Sequence, residues 1–66
     1  MLYDLYQDHS GTWYAGETTA SSALCGTDVA HDQPITFEIQ DAISFLQEQD
    51  NISRKCLEIL LARAEA

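Results

Sequence analysis

The spacing of the hydrophobic residues changes once along this chain, and that change limits the folds it can form. Residues 2–7 (LYDLYQ) and 12–17 (TWYAGE) are rich in Tyr, Trp and Thr, which favour β-strands. The four residues between them, DHSG, begin with Asp and end with Gly, as a type I turn prefers. We therefore predict a β-hairpin. Its inward side chains are expected to be Tyr3, Leu5, Trp13 and Ala15. A lone hairpin is unstable in water, so a third strand or a helix must cover it.

From Pro34 onward the hydrophobic spacing becomes helical. Ile35, Ile39, Ala42, Ile43 and Leu46 fall within about 100° of one another on a helical wheel. Proline suits a first helical turn, because its missing N–H would have no partner there. A helix beginning at Pro34 is therefore the favoured interpretation. In the alternative, ITFEI (35–39) is a strand and the helix begins near Gln40.

A second helix is predicted over SRKCLEILLARAEA (53–66), after QDN has interrupted the first. Asn51 or Ser53 is suited to cap it. Its predicted buried face consists of Cys56, Leu57, Leu60, Leu61 and Ala64, and Arg54, Glu58 and Glu65 are expected to face water. Residues 18–28 fit either a short helical turn ending at Gly26 or a loop.

The expected fold is therefore a single α+β domain over residues 1–66. In it an N-terminal β-hairpin, with a third short strand as an alternative, packs against a C-terminal helical hairpin. A chain of 66 residues buries only about 60% of its unfolded surface, so a homodimer that hides Trp13 or Phe45 is a second arrangement to consider. No apolar run approaches the ~20 residues of a membrane span, and the N-terminus lacks a signal-peptide pattern. A cytoplasmic location is expected.

Charge is the strongest functional signal in the sequence. Eleven acidic residues oppose three basic ones, for a formal charge of −8. The bases are Arg54, Lys55 and Arg63, so residues 1–53 carry nine acids and no base, a net charge of −9. Such a chain repels nucleic acids and anionic membranes and is steered toward basic proteins. The alternative is that the charge only keeps a small protein soluble.

A partner-binding surface is predicted on the stretch FEIQDAISFLQEQD (37–50). On a helix, Glu38, Asp41 and Glu48 span roughly 80° and about 15 Å of length, with Phe45 inside that arc. The full predicted set is Glu38, Asp41, Phe45 and Glu48, together with Asp4, Asp8 and Glu17 of the hairpin. In the alternative, these acids simply occupy the solvated side of an amphipathic helix and Phe45 packs on the hairpin.

The partner expected from this pattern is a larger protein with a basic, nucleic-acid-binding surface. The chain would then act as an inhibitor or nucleic-acid mimic, as do small acidic proteins that phages and mobile elements encode against host machinery such as CRISPR effectors. This is an analogy from size and charge. The competing hypotheses are a homodimeric structural or regulatory module and, more weakly, a small zinc-binding domain.

The cysteine and histidine residues do not form a convincing chemical motif. Cys25, Cys56, His9 and His31 have the right chemistry for zinc, but their spacing contains no paired ligands. A Cys25–Cys56 disulfide is less favoured than two reduced thiols, with Cys56 in the core and Cys25 in a loop. Nothing in the spacing suggests Cys25 as a nucleophile with His31 as its base. We predict no enzyme activity, no metal and no cofactor.

Overall fold

A computed structural model describes residues 2–18, 22–26 and 33–65 of the chain. Its elements in chain order are strands β1 (Leu2–Gln7), β2 (Trp13–Glu17) and β3 (Ile35–Glu38) and helices α1 (Ile39–Glu48) and α2 (Arg54–Glu65). The strands form a sheet in the order β2-β1-β3, and both pairings are antiparallel. The predicted α+β fold, with N-terminal strands and a C-terminal helical hairpin, is confirmed.

The hairpin forms where its local pattern predicts it. Leu5 pairs with Ala15 and Gln7 pairs with Trp13 across the two strands. The Gly11 amide donates to the Asp8 carbonyl at 3.1 Å and closes the four-residue turn. Gly11 has φ +90°, a backbone conformation that glycine adopts without the steric cost of a Cβ. Asp at the start and Gly at the end of the turn therefore both have a physical role.

The favoured prediction of a helix from Pro34 is wrong for its first residues, and the alternative is the arrangement observed. Ile35–Glu38 form β3, and the helix begins at Ile39. In β3, Ile35 pairs with Leu5 and Glu38 pairs with Leu2. The reason is tertiary, since β1 has a second edge whose backbone groups need partners. The pairing also leaves Ile35, predicted to be buried, 43% exposed.

Most of the core lies between the two helices and one face of the sheet, whereas Tyr6 is buried on the other face, where segment 22–26 packs beside Gly16. The core consists of Tyr3, Leu5, Tyr6, Ala15, Ala23, Ala42, Ile43, Leu46, Cys56 and Leu60. Leu61 was predicted to join it but is 38% exposed, because Cys56 and Leu60 form the centre of the buried face and Leu61 lies about 100° round the helix from Leu60. The predicted cap is present, with the Ser53 hydroxyl accepting from the Cys56 amide at 3.4 Å.

The outer edge of β2 is covered by two non-regular segments. The Trp13 amide donates to the Asn51 carbonyl at 2.9 Å, and the Ser53 amide donates to the Trp13 carbonyl at 2.8 Å. Further along β2, the Leu24 amide donates to the Ala15 carbonyl at 2.8 Å. The connection between the helices is thereby fastened to the sheet.

Of the ambiguous segment 18–28, residues 22–26 contain a turn in which the Gly26 amide donates to the Ala23 carbonyl at 2.9 Å. Residues 19–21 and 27–28 lie outside the described part of the chain. Neither of the helices described here has the length and apolar character needed to cross a membrane.

Candidate functional site

The topology places all the described charged residues except Glu58 at two opposite ends of the molecule. β1 begins at the end of the sheet where β2 and β3 finish, as the pairs Tyr3–Glu17 and Leu2–Glu38 show. Because α1 follows β3 directly, it starts at this end too. The last turn of α2 is also here, since Arg63 Nη1 lies 2.7 Å from Glu17 Oε1.

We call this the acidic end and define it by Asp4, Glu17, Glu38, Asp41, Arg63 and Glu65. Its five carboxylates and one guanidinium give a net charge of −4. The opposite end, the turn end, holds the hairpin turn and the connection between the helices. It contains Asp8, Glu48, Asp50, Arg54 and Lys55, for a net charge of −1. The negative charge of the described residues is therefore concentrated at one end.

Two of the acidic-end carboxylates share the sheet face that lies away from the helices. Asp4 is directly opposite Thr36, and Thr36 Oγ1 donates to Asp4 Oδ1 at 2.7 Å. Glu38, two residues beyond Thr36, is thus the diagonal neighbour of Asp4, at about 7–8 Å in such a ladder. Leu2 faces Glu38 across the strands and is 47% exposed. The face therefore combines two carboxylates with an exposed apolar side chain.

Asp41 adds a further exposed carboxylate immediately beyond this face. It lies in the first turn of α1, three residues after Glu38, which occupies the N-cap position but makes no side-chain capping bond. Three residues correspond to about 4.5 Å along the helix axis. A carboxylate in the first turn interacts favourably with the positive end of the helix dipole, so Asp41 also suits its local structure.

Glu17 also lies at the acidic end, but its charge is largely offset. The Arg63 guanidinium donates to Glu17 Oε1 at 2.7 Å and to the Tyr3 hydroxyl at 3.3 Å. The two side chains of the ion pair are 41% and 44% exposed, so the pair contributes only about 0.2–1 kcal/mol to stability. Its main consequence is that Glu17 is less available to a cation from outside.

Asp8 lies at the turn end, where its carboxylate organises the hairpin turn. Oδ1 accepts hydrogen bonds from the Ser10 amide at 2.9 Å, the Ser10 hydroxyl at 2.6 Å and the Thr12 amide at 3.1 Å. The bond from the Ser10 hydroxyl, assisted by the two amides, holds the pKa of Asp8 below its ordinary value of 3.8. The structure thus gives Asp8 an internal role and separates it from the acidic end.

Phe45 packs on the hairpin, as the alternative interpretation expected. Its ring centroid lies 4.9 Å from that of Trp13, nearly edge-on at 81°, and 5.3 Å from that of Phe37. All three side chains are half-buried. The chain's other aromatic residues are half-buried (Tyr14) or buried (Tyr3 and Tyr6), so the most exposed large apolar side chains in the described residues are Leu2, Ile35 and Leu61.

Glu48 is exposed on the same helix face as Asp41 but lies seven residues further on, about 10 Å along the axis. It belongs to the turn end, near an open groove of about 330 Å³ between the end of α1 and the start of α2. The groove is lined by Leu46, Gln47, Gln49, Asp50, Asn51, Ile52, Arg54 and Leu57. The predicted single acidic stripe is thus interrupted in two ways: Glu38 is on a strand, and Glu48 lies at the other end of the molecule from Glu38 and Asp41.

The structure therefore brings Asp4, Glu38 and Asp41 together, with Glu17 nearby, and separates them from Asp8 and Glu48. Sequence reasoning missed Leu2, which lies opposite Glu38 at the acidic end of the sheet and is 47% exposed. It also missed the segregation of the cations. The only sequence signal for that segregation is that two of the three bases, Arg54 and Lys55, are adjacent at the start of the last helix.

The zinc hypothesis gains no support from the described residues. Within them, no group of three or more His, Cys, Asp and Glu side chains is placed to hold a metal ion. His31 lies outside the described part of the chain. Cys56 is buried and Cys25 is half-buried, as predicted, and no disulfide joins them in this structure. Comparisons of the chain with models of protein families, with curated proteins and with solved structures each found no match.

Proposed function

We propose that the protein is a small acidic binding protein that occupies a basic, nucleic-acid-binding surface of a larger protein. The observation that carries the proposal is the acidic end, where five carboxylates are opposed by one guanidinium. Concentrated charge of one sign accelerates encounter with a surface of the opposite sign and selects against wrong partners. A protein whose acidity served solubility alone would have no need to segregate its charges.

In this mechanism the sheet face makes the central contact. Lysine or arginine side chains of the partner pair with Glu38 and Asp41, which have no ion-pair partner among the described residues. Leu2 supplies the apolar contact that interfaces place at their centre, surrounded by polar groups. Asp4 already accepts a hydrogen bond from Thr36. It therefore adds to the negative electrostatic potential of this surface and does not pair directly with the partner.

In its most specific form the proposal is nucleic-acid mimicry by an inhibitor that a phage or mobile element directs against host nucleic-acid machinery, CRISPR effectors included. Its support is the combination of small size, a charge of −8 and an exposed carboxylate cluster. Mimicry makes a further demand, because the partner must be unable to bind the protein and its nucleic acid together.

The test compares two charge-reversed variants of the full chain. Glu38→Lys/Asp41→Lys alters the acidic end, and Glu48→Lys/Asp50→Lys alters the turn end. Each replaces two exposed acids, so both shift the formal charge from −8 to −4. Thermal melts come first, because lysine in the first turn of α1 costs about 0.3–1 kcal/mol through the helix dipole.

Tagged wild type and both variants are then used to capture proteins from a nuclease-treated cell lysate. We expect a basic nucleic-acid-binding protein that wild type and the turn-end variant retain and the acidic-end variant loses. With that partner purified, affinity should fall at least about 10-fold for the acidic-end variant, or 1.4 kcal/mol. Duplex DNA should displace wild type.

Equal losses of affinity for the two variants would show that only the total charge of the protein matters. Undiminished binding by the acidic-end variant would exclude the acidic end as the binding surface. Light scattering on the free protein addresses the homodimeric alternative. A stable dimer that captures no basic protein would favour that alternative over ours.

A further inference from the structure

Cys25 and Cys56 are 31 positions apart in the sequence but share one small site in the fold. The Ser53 hydroxyl lies 3.7 Å from Cys25 Sγ and 3.4 Å from the Cys56 amide nitrogen. Cys56 Sγ lies 3.5 Å from the Ala15 carbonyl, which also accepts from the amide of Leu24, the residue before Cys25. The two cysteines therefore meet where segment 22–26 crosses the first turn of α2.

The two thiols differ in their access to reagents. Cys56 is completely buried and Cys25 is half-buried. Burial raises the pKa of the Cys56 thiol, which donates to the Ala15 carbonyl at 3.5 Å. Since thiolates are the nucleophiles in disulfide exchange, an external reagent reaches Cys25 first and Cys56 reacts from within the protein.

We propose that Cys25 and Cys56 are an oxidisable pair that forms an intramolecular disulfide by exchange with a small-molecule disulfide such as oxidised glutathione. In the first step the Cys25 thiolate attacks one glutathione sulfur, the glutathione S–S bond breaks, and one glutathione thiolate leaves. In the second step the Cys56 thiolate attacks the Cys25 sulfur of the mixed disulfide and releases the second glutathione. The two protein thiol protons end on the two reduced glutathione molecules, and the protein is oxidised by two electrons.

The disulfide would change the mechanics of the fold. It would join segment 22–26 to α2 and close a loop of 32 residues, from Cys25 to Cys56, that contains all of β3 and α1. Cross-linking a loop of this length stabilises a fold mainly by restricting the unfolded chain. The inference does not depend on the proposed binding function.

The test incubates the reduced full-length protein with oxidised glutathione and then alkylates the remaining thiols for mass spectrometry. We expect a monomer lighter by two hydrogens, without alkylation, and a peptide in which Cys25 and Cys56 are joined. The midpoint of thermal unfolding should rise by about 10 °C or more, and dithiothreitol should reverse the change.

Two single variants examine the order of the steps. Cys56→Ala should retain glutathione on Cys25, because the resolving thiol is missing. Cys25→Ala should leave the buried Cys56 largely unmodified while the protein remains folded. In the wild type, a lasting glutathione adduct on Cys25, a disulfide-linked dimer, or two thiols that stay reduced would each overturn the proposal. Because those outcomes are read from the wild type, they remain decisive even if a variant fails to fold.

Discussion

Replacing Phe45 by alanine is the most informative perturbation of this fold, because the two interpretations of that residue predict opposite results. An exposed binding anchor can be removed with little effect on stability, whereas a ring packed on the hairpin cannot. The structure places the Phe45 ring 4.9 Å from Trp13 and 5.3 Å from Phe37. We therefore expect Phe45→Ala to destabilise the protein whether or not a partner is present.

The size of the effect follows from these contacts. A fully buried Phe→Ala replacement costs about 3–5 kcal/mol, and Phe45 is half-buried, which reduces that cost to roughly 2 kcal/mol. Each aromatic pair adds about 0.5–1.5 kcal/mol beyond simple burial. With two such pairs, the sum is about 3–5 kcal/mol. For a domain of this size, even the lower end of that range corresponds to a fall of at least about 12 °C in the unfolding midpoint.

Urea unfolding followed by Trp13 fluorescence and circular dichroism measures this change, because Trp13 is the chain's only tryptophan and one of the contacting rings. Ser44→Ala, exposed on the same helix, is the matched control and should change stability by no more than ~0.5 kcal/mol. A double-mutant cycle with Phe37→Ala should give a coupling energy of about 0.5–1.5 kcal/mol.

A loss below about 1 kcal/mol for Phe45→Ala, within the range of ordinary surface substitutions, would refute the packing argument. Zero coupling to Phe37 would refute the aromatic contribution specifically. Only the first result would return Phe45 to the set of candidate binding residues.

Two further predictions concern the hairpin. Asp8→Asn keeps an acceptor at Oδ1 but removes the charge. Because the pKa of Asp8 is lowered on folding, the charge stabilises the fold above the unfolded-state value near 3.8, and this contribution disappears as pH falls through the folded-state pKa. Thermal melts should therefore show wild type to be the more stable at neutral pH and the difference to vanish in strong acid; a difference that persists there would contradict this account. Gly16→Ala would place a Cβ 3.0 Å from Tyr6 Oη and 3.1 Å from the Ser22 carbonyl oxygen, so we expect a loss of about 1–3 kcal/mol in urea unfolding. An unchanged urea midpoint would contradict this expectation and would show that segment 22–26 moves to accommodate the added methyl group.

The hairpin could be predicted from sequence because its determinants are local. The turn from Asp8 to Gly11 and the alternation of Tyr3 and Leu5 lie within one short stretch. Strand β3 could not be predicted with the same certainty, since Ile35 and Ile39 fit a helical face and an alternating strand equally well. Residues 35–38 form a strand because β1 has a second edge with unpaired backbone groups. The sequence of residues 35–39 contains no information about that edge.

The sequence predicted that the candidate site consists of exposed carboxylates, but it did not predict which carboxylates lie close together. Exposed carboxylates at Glu38, Asp41 and Glu48 follow from polarity alone. The pairing of Glu17 with Arg63 joins residues 46 positions apart, and only the packing of α2 on the sheet brings them together. Likewise, the separation of Glu48 from Glu38 depends on where the strand ends and the helix begins.

The attachment of Trp13 to Asn51 and Ser53 has a consequence for the order in which the molecule assembles. The outer border of the sheet is finished by residues about forty positions downstream of the strand that they protect. A chain that has emerged only as far as α1 can form the hairpin and still lack this border. Closing so long a loop costs conformational entropy before the stabilising contacts form. The edge of the sheet is therefore completed only after the C-terminal third of the chain is present. Until then, the part of the β2 edge around Trp13 remains open to aberrant pairing with other nascent chains.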